Sequence, residues 1–119
     1  MQDSPKNLYK KLLGLKGEKI AEKALKNQGY KVIQTNYVTP FGEADIVLGK
    51  DGAIVFAEVK TRSSNKFGTP SQAVDYKKQK KYRDIATYYA KVNNLDSVQI
   101  SFIVVEILGD EVNIITDAF

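Results

Sequence analysis

Two rhythms of apolar and polar residues divide this chain. From Ser4 to Gln28 the apolar residues Leu8, Leu12, Leu15, Ala21, Ala24 and Leu25 recur at helical spacing. Ser4-Pro5 supplies an N-cap and a proline at the first helical position, and Gly29 supplies the stop. Gly14 and Gly17 interrupt the stripe, which leaves open one helix with a weak point or two short helices. Tyr30–Val38 then reads as a strand of mixed alternation, with Asn36 as a polar contact or a bulge, and Thr39-Pro40-Phe41-Gly42 as a turn. Two Ile- and Val-rich runs follow, Ala44–Gly49 and Ala53–Lys60. Between them lies Asp51-Gly52, a pair that tolerates the positive φ of a two-residue hairpin loop. Ile54-Val55-Phe56-Ala57 does not alternate, as expected of a strand buried on both faces.

Thr61–Gly68 is polar and reads as a loop. Thr69-Pro70-Ser71-Gln72 is a capping box, and it predicts a helix running to about Val92. The inward stripe of that helix is Val74, Lys78, Tyr82, Ile85 and Tyr89. Asn93-Asn94 ends it. Val98–Leu108 is a strongly apolar strand, and Glu111–Ile115 a short last one after the turn Gly109-Asp110. The predicted order is α-β-β-β-α-β-β. This is an α/β fold with a mixed central β-sheet flanked by helices, in one domain over residues 1–119.

The central hairpin carries the candidate chemistry. With Asp51 and Gly52 as its loop, paired positions add to 103, and Asp45 faces Glu58. Like charges directly opposite in a sheet are destabilising, and buried carboxylates are costly unless paired or metal-bound. Lys60 shares the face of Glu58, two residues on. Two carboxylates able to hold a divalent cation therefore stand beside an ammonium. Ordinary strand charges are the plainer reading, and a register slip of one would part the two acids. Glu43 shares the face of Asp45, as a further ligand or simply exposed. Glu18 lies on the inward side of the first helix. It either reaches such a site, directly or through water, or stabilises a helix N-terminus. Lys78 is out of place on an apolar stripe, with Gln79 beside it. It is either a snorkelling side chain or a group facing the carboxylates.

Composition narrows the chemistry. The chain has no Cys and no His, which excludes thiol chemistry, serine triads and the usual zinc sites. The work falls to carboxylates, Lys, Gln, Tyr or a hard metal ion. The net charge is +4, but it is unevenly spread. Lys60, Arg62, Lys66, Lys77, Lys78, Lys80, Lys81 and Arg83 stand against Asp75 alone, so that segment carries +7 and the remainder −3. A basic half beside an acid cluster suggests a polyanionic partner, nucleic acid first, although Lys-rich runs are often just solvated helix faces. No apolar run is long enough to span a membrane and no signal-peptide core is visible, so a cytoplasmic location is expected, with no membrane partner.

Asp45 followed by Glu58-Val59-Lys60 resembles the Asp…(Asp/Glu)-x-Lys motif of the restriction-endonuclease-like superfamily. The wider set is Gly17-Glu18-x-x-Ala21, Gly29-Tyr30, Asn36, Gly42-Glu43-x-Asp45-Ile46, Phe56-x-Glu58-Val59-Lys60-Thr61-Arg62, Phe67-Gly68 and Lys78-Gln79. It covers nearly the whole chain and is similar to the YraN-like family. Those are uncharacterised bacterial proteins regarded as candidate endonucleases, related in fold to archaeal Holliday-junction resolvases. The resemblance implies a restriction-endonuclease-like core, a Mg2+ or Mn2+ site and a nucleic-acid substrate, DNA ahead of RNA. It casts Asp45 and Glu58 as metal ligands together with the Val59 carbonyl, Lys60 as the group that orients water, Glu18 as an accessory acid, and Gln79 as the glutamine often found on the following helix. Arg62, Lys66 and the helix cations would hold the phosphate backbone. The function expected is metal-dependent hydrolysis of DNA phosphodiesters, with branched or repair intermediates among the substrates, and paired cuts would call for a homodimer. Ala44 stands where the superfamily often has Pro, and Ile103 where such proteins often carry Asp. The alternative is a catalytically inactive nucleic-acid-binding module on the same fold.

Overall fold

The computed structural model describes residues 5–62, 75–116 and 118–119, and within them the side chains of all but residues 5–15 and Arg62. Pro5–Asn27 forms one unbroken helix, α1. It ends in a Schellman arrangement: the Tyr30 N–H donates to the Leu25 carbonyl at 3.0 Å and the Gly29 N–H to Lys26 at 3.1 Å, with Gly29 at φ +90°. The strands β1 (Lys31–Thr39), β2 (Gly42–Lys50) and β3 (Ala53–Arg62) form an antiparallel meander. Helix α2 (Tyr76–Val92) then carries the chain to β4 (Ile100–Leu108), which pairs parallel with β3, and β5 (Glu111–Ile115) closes the sheet antiparallel to β4. The sheet order is β1-β2-β3-β4-β5, so the expected α-β-β-β-α-β-β fold with its mixed sheet is the one observed.

Each helix covers one face. On one side Ala21 and Leu25 of α1 pack against Ile46, Leu48, Val55, Ala57, Ile103, Val105 and Ile107. On the other, Tyr82, Ile85, Ala86 and Tyr89 of α2 pack against Tyr37, Ala44, Val47 and Phe56. β3 is buried on both faces, as its unbroken apolar run implied. Rings lock the α2 side. Phe119 stacks on Phe102 at 4.9 Å between centroids and meets Tyr82 edge-on at 5.7 Å, while Phe56 meets Tyr89 edge-on at 5.7 Å.

Three expectations need correction. β3 does not stop at Lys60: Thr61 and Arg62 continue it, because the parallel ladder runs on to Ile107 and Leu108. The second helix begins at Tyr76, not Pro70. Asp75 is extended (φ −76°, ψ 176°), and its carboxylate accepts the Lys78 N–H at 2.9 Å, so it is the N-cap. Thr69–Gln72 and Val74 lie outside the described residues. The penultimate strand starts at Ile100 instead of Val98.

Candidate active site

The hairpin register is the one its loop dictates, from Lys50↔Ala53 to Ile46↔Ala57. There the β2–β3 ladder ends, one position short of Asp45 and Glu58. Ala44 and Val47 pack on the α2 side while Ile46 and Leu48 pack on the other, so the alternation of β2 is reset at Asp45. Opposite it in β1, Asn36 takes a left-handed conformation (φ 50°) between the pairs Thr35↔Ile46 and Tyr37↔Ala44. Both strands thus deform where Asp45 leaves the ladder. Its Oδ2 takes over the missing rung, accepting the Val59 N–H at 2.8 Å.

Glu58 is the centre of the site and is 6% exposed. Its Oε1 accepts Lys78 Nζ at 2.5 Å and lies 3.3 Å from Lys60 Nζ. Its Oε2 accepts the hydroxyl of buried Tyr82. Tyr82 also receives a backbone hydrogen bond from Asp45. α2 therefore delivers Lys78 and Tyr82, one turn apart, to one carboxylate, because 78 and 82 share the inward face of the helix.

The electrostatics follow from this arrangement. Burial and the charge of Glu58 push the Asp45 carboxyl up to about 6 from its ordinary 3.8, and the Val59 N–H only partly offsets them. Burial also acts to raise Glu58, but Lys78, Tyr82 and Lys60 outweigh it and hold Glu58 below the usual glutamate value. Lys60 is lowered, by burial and by the neighbouring Lys78. Lys78 is raised, since its bond to Glu58 overcomes its own burial. Glu18, on α1, is raised by burial, against a hydrogen bond from the Asn36 side chain, and by the charges of Glu43 and Glu22. Glu18 in turn contributes to the raised Asp45. Asn36 is thus a polar contact as well as a distortion.

The structure brings Asp45, Glu58, Val59, Lys60 and Lys78 together, with Glu18 close enough to act on Asp45. Gln79 sits half-buried beside Lys78. Glu43 is exposed. Ile103 packs on the face of the sheet away from Glu58, so the missing Asp leaves the carboxylate pair untouched. Among the basic residues, Lys77, Lys80 and Arg83 are exposed on α2, and Lys80 pairs with Asp84 at 3.0 Å. Lys81 lays its stem against Gly42, whose φ of +132° and 2.7 Å clearance for a Cβ leave no room for a side chain. Arg62 lies on β3, its side chain beyond description, and Lys66 lies outside the described residues.

Two members of the neighbourhood escape a sequence reading. Tyr82 reads as core, although its spacing of four from Lys78 is the available signal. Glu106 falls within Val98–Leu108, which reads simply as an apolar strand. It is 6% exposed, pairs with Lys60 across the β3–β4 ladder, and accepts Asn113 Nδ2 at 3.3 Å on Oε2, while its Oε1 has no hydrogen-bond partner.

The donor chemistry suits a hard cation: two carboxylates and a strand carbonyl, all oxygen. A carboxyl raised by a neighbouring carboxylate is one that added positive charge would relieve. Among the described residues no three His, Cys, Asp or Glu side chains gather closely enough to hold a metal, so the carbonyl and water would have to complete its shell. No helix among the described residues is long and apolar enough to cross a membrane.

Residues 17–107 match the model of the uncharacterised protein family UPF0102. A UPF0102 protein of Alkaliphilus oremlandii is 46% identical over 99 residues, covering 82% of this chain and 85% of the relative. One from Clostridioides difficile is 42% identical over 105 residues, 87% and 92% of the two chains. One from Caldicellulosiruptor bescii is 40% identical over 116 residues, 92% and 98%.

Proposed function

The chain belongs to the uncharacterised protein family UPF0102, the YraN-like family, and on that footing we propose that it is a metal-dependent nuclease that hydrolyses phosphodiester bonds, in DNA ahead of RNA. The observation that carries this is the acid pair: Asp45 and Glu58 lie close enough for one to raise the other, with Lys60 against Glu58. Asp45, Glu58 and the Val59 carbonyl would hold Mg2+ or Mn2+. When bound, the ion supplies charge neutralisation at a phosphoryl oxygen and a more acidic water.

The other steps belong to the chain's own groups. Lys60, with its lowered pKa, stabilises the negative charge that develops on the phosphate and positions the attacking water. Glu18 adds negative potential from the α1 side, and Gln79 lies at the N-terminal end of α2 within reach of a substrate. Lys77, Lys81 and Arg83 hold the phosphate backbone without reading bases, as do Arg62 and Lys66 by position in the chain. D45N removes a ligand while its amide oxygen still accepts the Val59 N–H. It is expected to abolish cleavage and weaken Mn2+ binding in calorimetry while the circular dichroism spectrum stays unchanged. Cleavage by D45N at the parent rate with the same metal would remove this reading.

One observation favours a non-catalytic nucleic-acid-binding module: both oxygens of Glu58 are already bonded, to Lys78 and Tyr82. Such a module retains branched or duplex DNA in binding assays without cutting it and without responding to Mg2+ or Mn2+.

A further inference from the structure

A carboxylate oxygen that ligates a small divalent cation such as Mg2+ must give it a lone pair at about 2.0–2.1 Å. Glu58 Oε1 has Lys78 Nζ at 2.5 Å and Lys60 Nζ at 3.3 Å, and Oε2 is held by Tyr82. An ammonium and a divalent ion repel, and they cannot share that approach to Oε1.

The three donors differ in how they hold Glu58. Tyr82 is 0% exposed and set edge-on against the stacked rings of Phe102 and Phe119. Lys60, its side chain 25% exposed, stands off at 3.3 Å and leaves the near approach to Oε1 to another donor. Lys78 stands in the first turn of α2, its side chain 26% exposed, at the end of a flexible four-carbon stem. Of the two ammonium groups it makes the closer ion pair with Glu58, and it is the one that fills the near approach to Oε1.

We propose that Lys78 is an exchangeable internal counter-ion. Its ammonium occupies the cation's place on Glu58 Oε1 and is displaced when a divalent ion binds there. The inference rests on the metal reading above and adds a residue that acts against the ion. It accounts for a lysine on the buried face of α2: without it, Glu58 and Asp45 would face each other with too little positive charge between them until an ion arrived. The released ammonium lies one helical turn from Lys81 and next to Lys77, on the side where a phosphate backbone would run. Cation and phosphate then each take one partner of the same pair, so their binding is positively coupled, and by linkage each tightens the other.

Mn2+ alone, titrated calorimetrically into the full chain, tests this with K78Q, K78R and D45N. K78Q keeps the stem and a hydrogen-bond donor but removes the competing charge, and it is expected to bind Mn2+ about tenfold more tightly than the parent, within the usual range of coupling. K78R keeps the charge and is expected to show no such gain. A second readout covers a K78Q chain that folds poorly without metal. Removing one partner of a buried pair destabilises the chain, so its melting temperature falls, and Mn2+ restores it by a larger increment than it adds to the parent. Heat of binding in K78Q but none in the parent also supports the proposal, as its extreme case. Equal or weaker affinity in K78Q than in a parent that binds through Asp45, or an equal gain in K78R, overturns the counter-ion role and leaves the metal site standing. No Mn2+ binding in any variant ends both.

Discussion

At the scale of single residues, the acid pair has a cost in stability that can be measured. Asp45 rises from 3.8 to about 6 on folding, by burial and by Glu58. The folded chain thus binds this proton more tightly than the unfolded chain, so the stabilisation is complete below about pH 4 and lost as pH climbs through about 6. Glu58 runs the other way: held below its ordinary value, it contributes at neutral pH and loses that contribution in acid. D45N removes the first effect and leaves the bonds of Glu58 to Lys78 and Tyr82 in place. At pH 7.5 it is expected to be more stable than the parent by about 1–3 kcal/mol, the upper figure being two pH units at about 1.4 kcal/mol each. The gain shrinks toward zero near pH 4. Urea melts at the two pH values check it, and a D45N variant less stable at both would contradict the strained pair. The loss of cleavage and the gain in stability are expected in the same variant.

At the scale of elements, the site depends on how closely α1 approaches the end of β3. A Cβ placed on Gly17 would lie 2.3 Å from Thr61 Oγ1, so α1 crosses β3 at a distance only glycine allows. G17A is expected to cost about 1–3 kcal/mol, as overpacking does, and T61A to recover much of it by removing the clashing hydroxyl. A double-mutant cycle from chemical denaturation measures the coupling, and additive losses would contradict the contact. This crossing was not legible in the sequence, where Gly17 counts only as a weak point in a helix. What was legible follows from local rules. Asp51-Gly52 fixed the register that brings Asp45 level with Glu58, and Lys78 stood out because a charge on an apolar stripe needs a partner. What was hidden depends on tertiary context. Asp75 is the N-cap although an equally good start stands at Thr69-Pro70. Thr61 and Arg62 extend β3 only because β4 lies beside them. Tyr82 looks like core until its hydroxyl is seen on Glu58. Glu106 is buried by neighbours that the sequence cannot supply.

At the scale of the whole molecule, charge is divided between surface and site. Lys77, Lys80 and Arg83 are exposed on α2, and the acid pair lies beneath the N-terminal end of the same helix. A polyanion drawn to that helix is thereby brought to the carboxylates, with long-range attraction sensitive to ionic strength. Affinity for duplex DNA is expected to fall steeply with salt, and K77Q and R83Q to reduce the slope of log K against log salt by about one each, without changing sequence preference. Fluorescence anisotropy between 50 and 200 mM salt is the measurement, with slopes unchanged in both variants as the contrary result.

Phe119 lies flat on Phe102 and edge-on to Tyr82, two steps from the Glu58 oxygens. Shrinking that ring would open the wall that steadies the phenol, so F119A is expected to loosen the grip of Tyr82 on Glu58 without touching either residue.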